Sequence, residues 1–373
     1  MKLAYMILNP HYPWLFNLSL ICLISVLITG CNKTEKEAPQ KITNTEFAKG
    51  FSMKSFGGGI EVALHNPYPN RGKSVKYLLV PKGKVVPAHS SEIQVIRTPI
   101  EKIVCTSTSH IALLDLLNAL DNLIGFPNTD LISSKKARAR IDSGLVVDLG
   151  EDKEMNLEML VSLAPDVVMG YSLNGDLAKL DKINEFGIPV VINAEYLEDH
   201  PLGRAEWIKY MALLLDKSEM ADSLFNRIKE EYLGNQELIK NIKERPTVMT
   251  GILYGDAWYL PGGYNYAAKI FRDAGYQYLW EDDPGNGFLN LSFESVYAKA
   301  KDADYWIGVG SFESSQEMRS SEKRYSLFNS FQHGNIYTYD ARKGATGGSE
   351  YLELGYSRPD IILKDLIKIA HPK

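Results

Sequence analysis

The chain has 373 residues, 45% of them hydrophobic and 23% charged, with a formal net charge of -5. That length allows two domains, each with its own core, and the composition is that of an ordinary globular protein. The mildly acidic balance, spread without a charged tail, excludes a basic nucleic-acid footprint.

The N-terminus reads as a targeting segment. Lys2 gives a basic start, and Leu15 to Ile28 is an apolar run broken by Asn17, Ser19 and Ser25. A spanning helix needs about 20 apolar residues, so this shorter run suits a signal peptide, with an uncleaved anchor as the alternative. Ile28-Thr29-Gly30-Cys31 resembles a bacterial lipobox. The resemblance implies a signal peptide over 1–30, cleavage before Cys31 and acylation of that cysteine. Cleavage leaves 343 residues (373 minus 30) and a net charge near -6, because the removed segment carries Lys2 and no acid. Cys22 is then lost and Cys31 lipidated, so Cys105 stands alone and no intrachain disulfide is available. Cys105 ends an apolar strand pattern and reads as a small buried residue.

Residues 31–50 are polar and predict a flexible tether. Residues 51–99 hold short alternating runs (FSMKSF, GIEVALH, VKYLLVPKG, EIQVIRT) between Gly, Pro and Asn, a pattern of strands and hairpins. From Ile103 the period changes. IVCTS reads as a strand, with Ser109 capping a helix whose Ile111, Leu114, Leu117 and Leu120 recur at helical spacing. DVVMG and PVVIN are further short strands between helical segments, which argues for a parallel sheet flanked by helices.

The second lobe repeats the first. NLEMLVSLAPDVVMGYS (156–172) and LSFESVYAKAKDADYWIGVGS (291–311) each show a Glu (Glu158, Glu294), a helix, an Asp eight residues on (Asp166, Asp302), a strand and a Gly (Gly170, Gly308). Between the lobes, Pro201 to Arg245 reads as helical throughout. Lys217 to Lys243, if continuous, would span about 40 Å and resist separation of the lobes. The expected fold is therefore α/β, with two Rossmann-like lobes joined by one long interdomain helix and a small N-terminal β extension. The expected divisions are 51–99 for the extension, 100–198 for the first lobe, 199–245 for the connecting helices and 246–373 for the second lobe.

Together, the lipobox, the paired Glu-bearing segments and the central helix resemble the substrate-binding proteins of ABC importers that have a helical interdomain backbone. The resemblance covers roughly 97–373. With the β extension, WYLPGG and GGSEYLELGYSRPDIILKDLIKIAHP, it is similar to Bacteroidetes-like lipoproteins of this type. It implies a lipid-anchored monomer that carries an iron-siderophore complex, haem or cobalamin to a permease and its ATPase. It also implies that Glu158 and Glu294 dock on the two permease subunits.

In open α/β sheets ligands bind beyond the carboxyl ends of the strands. The post-strand loops here are 106–110, 171–174, 193–196, 254–264, 311–314 and 340–349. They offer Tyr171, Tyr196, Trp258, Tyr259, Tyr264 and Arg342. Aromatic faces stack on conjugated rings, and an Arg fork binds carboxylate or catecholate oxygens. Trp258, Tyr259, Arg342, Tyr171 and Tyr196 are the ligand candidates. His110 is a further one, as a ligand to iron or as a helix cap. Trp280 and Trp306 read as packing residues. No cofactor and no protein-built metal site is indicated, since the histidines make no HxH or HExxH pattern. The chain lacks GxSxG, a P-loop and a GxGxxG after a strand, which disfavours a secreted hydrolase. Asn32-Lys33-Thr34-Glu35-Lys36-Glu37 faintly resembles a surface-export signal, so a surface-displayed capture lipoprotein without its own permease remains a second reading.

Overall fold

A computed structural model describes residues 44–68, 74–172 and 177–372. Cys31, the signal segment and most of the tether lie outside the described residues. Among the described residues no helix is long and apolar enough to cross a membrane.

The extension forms a four-stranded sheet in the order β1-β2-β3-β4. β1 (Phe51–Phe56) and β2 (Gly59–Leu64) make a hairpin whose two turn residues, Gly57 and Gly58, have φ of 57° and 86°. That two-residue positive-φ turn matches the right-handed twist of the flanking strands. β3 (Val75–Pro81) pairs antiparallel with β2, and β4 (Gln94–Thr98) pairs parallel with β3.

The first lobe holds β5 (Ile103–Cys105), α1 (Thr108–Leu116), β6 (Leu123–Phe126), α2 (Lys135–Asp142), β7 (Val147–Asp148), α3 (Leu157–Leu163), β8 (Val167–Gly170), α4 (Ala178–Glu185) and β9 (Val190–Ile192). Its strands form one parallel sheet in the order β7-β6-β5-β8-β9. Helices cover both faces, so IVC and VVMG are buried throughout. The order reverses direction at β5, which opens a crevice beyond the carboxyl ends of β5 and β8.

The helical stretch that follows is broken into α5 (Pro201–Glu206), α6 (Ile208–Leu215) and α7 (Ser218–Ile239). The single run expected from Pro201 therefore ends twice. Asp216 adopts a left-handed φ of 56° that closes α6, and the Lys217 amide donates to the Ala212 carbonyl at 3.0 Å. The 22-residue α7 spans about 33 Å.

The second lobe carries β10 (Thr247–Met249), β11 (Ile252–Tyr254), β12 (Ala257–Pro261), α8 (Tyr266–Asp273), β13 (Gln277–Tyr278), β14 (Phe288–Leu291), α9 (Phe293–Ala300), β15 (Tyr305–Ile307), α10 (Ser315–Ser321), α11 (Asn329–Gln332), β16 (Ile336–Tyr337) and α12 (Pro359–Ala370). A parallel sheet runs β13-β10-β15-β16, and an antiparallel one runs β11-β12-β14. The fold is thus α/β, with two lobes, each built on a parallel sheet, bridged by a helical linker.

Asp166 and Asp302 were expected to correspond. Asp166 accepts the Glu101 and Lys102 amides at 2.6 and 3.0 Å and so ties β8 to the entry of β5. In the second lobe that role falls to Asp304, which accepts the Thr247 amide and hydroxyl at 2.8 and 2.7 Å. The Asp next to the strand is the one within reach of the neighbouring strand, and Asp302 is left solvated.

The linker is knitted to the start of the folded chain by two buried carboxylates. Glu206, with no exposed surface, accepts the amides of Glu46, Phe47 and Ala48 and the Lys209 ammonium. Glu198 accepts the amides of Lys49 and Gly50 and the Trp207 indole N–H. Removing one partner of a buried ion pair leaves the other charge uncompensated. Glu206→Ala should therefore lower stability by about 3–5 kcal/mol, read by urea unfolding. A loss below about 1 kcal/mol would show that these bonds contribute little.

Candidate functional site

The first lobe supplies three loops to the crevice. After β5, Ser107 to His110 turn into α1. Ser107, not Ser109, is the N-cap residue, and its side chain makes no capping bond. Ser109 instead donates its hydroxyl to Glu195 Oε1 at 2.5 Å, because Glu195, on the loop after β9, lies buried beside it. After β8 come Tyr171 and Ser172, and Tyr196 donates its hydroxyl to the Ser172 carbonyl at 2.5 Å. Tyr171 sits edge-on to His110, with centroids 6.5 Å apart. Burial raises the Glu195 carboxyl, against the Ser109 bond and the Arg204 charge. Burial, with the Glu195 charge added, pushes the Tyr196 hydroxyl up to about 12, so it stays a neutral hydrogen-bonding group at physiological pH.

Arg204, on α5 of the linker, joins these loops to the second lobe. Its Nη2 donates to the Tyr196 carbonyl at 2.9 Å and its Nε to the Glu198 carbonyl at 3.3 Å. Its guanidinium lies 4.0 Å from the Tyr266 ring centroid and 4.8 Å from that of Tyr356. A cation over aromatic faces in a partly desolvated site is worth roughly 0.5–2 kcal/mol. Beyond it the rings continue: Tyr266 meets Tyr356, Tyr356 meets Tyr351, and Tyr351 stacks on Tyr339 at 5.2 Å. Glu195 acts electrostatically on Tyr356 across the gap. The interlobe site therefore has Tyr171 and Tyr196 on one side, Arg204 at its base and a row of tyrosines on the other.

The expected ligand residues fare differently. Tyr171 and Tyr196 lie in this site, partly accessible. Trp258 does not. The loop expected at 254–264 folds largely as the β11–β12 hairpin, and strand alternation turns Trp258 inward. It is fully buried against Trp306, Tyr325, Phe328 and Phe293, with its indole N–H on the Thr250 carbonyl at 3.1 Å. No face remains for a ligand, and Trp258 belongs to the core, as Trp306 and Trp280 do. Tyr259, its neighbour, turns outward and is 44% exposed, on the sheet face that also carries Tyr254 and Phe288. Arg342 is exposed and pairs with Glu350 at 2.8 Å inside its own turn.

His110 is fully buried, so the role of a ligand reached from solvent is not open to it. Both ring nitrogens lack a hydrogen-bond partner among the described residues. Burial depresses it to about 3, which keeps the ring neutral. Groups of three or more metal-ligating side chains are not found among the described residues.

Sequence reasoning missed Arg204, Tyr266, Tyr351 and Tyr356. Arg204 stands in a segment read only as linker, and the three tyrosines sit in or at the end of helical segments just past the post-strand loops 254–264 and 340–349. The available signal was the tyrosine density of YNYAA and YLELGY.

Glu158 and Glu294 occupy matching places. Each is the second residue of its helix, α3 capped by Asn156 and α9 capped by Ser292. Both are exposed. Glu294 also reaches Arg324 at 3.4 Å.

A pair of parallel-sheet lobes facing across a helical linker, with the crevice at the strand ends, defines a two-lobed solute-binding protein. Residues 103–343 match the periplasmic binding protein family, and the chain belongs to it. An uncharacterized lipoprotein of Methanocaldococcus jannaschii is 27% identical over 313 residues, which is 80% of this chain and 73% of the relative. A periplasmic binding protein from Veillonella parvula superposes with a TM-score of 0.58 at 14% identity, covering 87% of this chain and 98% of that one. A possible iron-binding periplasmic solute-binding protein from Staphylococcus epidermidis gives 0.56 at 18%, covering 74% and 100%. The periplasmic haem-binding protein of Roseiflexus gives 0.52 at 18%, covering 72% and 99%. At these identities the structures establish the shared fold.

The buried neutral His110 has a sign for pH. Its folded value is depressed below the unfolded 6.5, so between those values the unfolded chain binds the extra proton. Its contribution is present above pH 6.5 and is lost as pH falls, by about 1.4 kcal/mol per unit at the steepest. The stability difference between wild type and His110→Leu, measured by urea unfolding from pH 7 to 4.5, should shift in that sense. A pH-independent difference would mean that His110 titrates normally.

Proposed function

We propose that this chain is the lipid-anchored solute-binding component of an ABC importer, making and breaking no covalent bond. It captures an iron-siderophore complex, haem or cobalamin between its lobes and hands it to a permease. The observation that carries the reading is the interlobe site itself: partly accessible tyrosines on both lobes around the Arg204 guanidinium. Such a site suits a flat or greasy conjugated body with an anionic rim, since rings stack on its faces and the guanidinium takes its carboxylate or catecholate oxygens. Similarity of fold to iron- and haem-binding proteins supports the same cargo class. Anchoring rests on Cys31 in its lipobox-like setting and on the lipoprotein name of a relative.

Absorption titration of the protein with haemin, ferric siderophores and cyanocobalamin tests the cargo. One of them should bind saturably. Arg204→Ala should weaken that binding tenfold or more, about 1.4 kcal/mol, whereas Trp258→Ala should act on folding stability instead. No saturable binding by any of the three would sink this cargo class.

Glu158 and Glu294 are the docking residues in this reading. Interfacial charges of this kind set register and encounter rate more than affinity. Reversing both, Glu158→Lys with Glu294→Lys, should leave ligand binding intact and abolish most transport in reconstituted vesicles holding the permease. Unchanged transport would remove the docking role. A surface-displayed receptor without a permease is the second reading, favoured by the polar run after Cys31. Protease digestion of this protein on intact cells would support it.

A further inference from the structure

The turn that carries Arg342 leaves its own lobe and packs on the other. Residues 342–350 fold back as a small hairpin, with Lys343 bridged to Ser349, the Gly344 amide on the Gly348 carbonyl at 2.8 Å and Arg342 paired with Glu350. Its tip lies against residues 130–133 of the first lobe. Thr346 donates its hydroxyl to the Asp130 carbonyl at 2.8 Å. A methyl group at Gly344 would meet the Ser133 Cα at 2.6 Å, and one at Gly348 would overlap the Leu131 carbonyl. Both contacts are therefore backbone against backbone, which requires glycine.

The hairpin continues into a π-helical turn, Tyr351–Gly355. Within it Glu353, only 3% exposed, accepts the Ser133 and Ser134 amides of the first lobe at 2.6 and 2.9 Å. Ser134 is the N-cap of α2, so the carboxylate meets the donor-rich end of that eight-residue helix. Ser134 also donates to Asp115, which Lys136 neutralises at 2.7 Å. The same π turn presents Tyr351 to the tyrosine row of the interlobe site.

We propose that residues 342–355 are a strap that holds the two lobes together beside the ligand site, with Glu353 as its latch. The strap is independent of what the site binds. One rigid turn carries both the latch and a wall of the site, so release of Glu353 moves Tyr351 as well. Burial, opposed by the two amides and assisted by the Asp115 charge, pushes the Glu353 carboxyl up to about 7. Desolvation thus offsets part of the bonding.

Hydrogen exchange of the full-length protein, read by mass spectrometry, tests the strap. In Glu353→Ala, peptides covering 129–137 and 342–355 should exchange at least tenfold faster together, while β5, β8, β10 and β15 keep their protection. Gly348→Ala leaves the carboxylate in place and should give the same pattern by steric displacement. Unchanged exchange at 129–137 in both variants would overturn the proposal. So would acceleration that spreads into both sheets, which would make these residues core packing instead of a latch.

Discussion

Everything in this molecule hangs on a short helical linker, bordered by Glu198 and carrying Glu206, whose two carboxylates are taken out of water. Glu198 and Glu206 are buried where an unpaired charge would be costly. Each is satisfied by backbone amides of residues 46–50, with the Trp207 indole and the Lys209 ammonium completing the sets. The folded chain thus begins by wrapping its own hinge. Phe51 against Trp207 and Tyr210, and Phe47 against Phe225, extend that seam in apolar contacts. In the proposed reading, whatever tethers this chain to lipid attaches to the linker and not to one lobe alone.

The same linker sets the chemistry of the interlobe site. Arg204 follows the first turn of α5, two residues before Glu206, so the segment that is locked to residues 46–48 also delivers the guanidinium to the tyrosines. Its nitrogens are held by carbonyls of the first lobe and its face by rings of the second. A group held from both sides is preorganised, which reduces the ordering cost of binding. Burial keeps the flanking tyrosines protonated, so they remain donors and apolar surfaces without adding charge.

On the opposite rim, contact between lobes is made by backbone, the Thr346 hydroxyl and the Glu353 carboxylate. Glycine at 344 and 348 allows the approach, and Glu353 and the Thr346 hydroxyl supply its directional bonds. α7 packs along the other linker helices and the C-terminal helix α12, so the linker and the strap meet the lobes at different places.

The amino-acid sequence determined the layers and their order. Short apolar strands alternating with amphipathic helices admit a buried parallel sheet and little else, so both lobes, the helical linker and the β extension were legible. The repeat around Glu158 and Glu294 was legible too, since their equivalence is one of position. What tertiary structure decided was the direction of individual side chains. Trp258 and Tyr259 are adjacent in a strand and therefore face opposite ways, and only pairing of β11, β12 and β14 settles which is inside. Asp304 replaced Asp302 because reach to Thr247, not spacing from Glu294, selects the capping carboxylate. Arg204, Tyr266 and Tyr356 are separated by up to 152 residues (356 minus 204). They meet because two lobes fold against one linker, a proximity that no local period encodes.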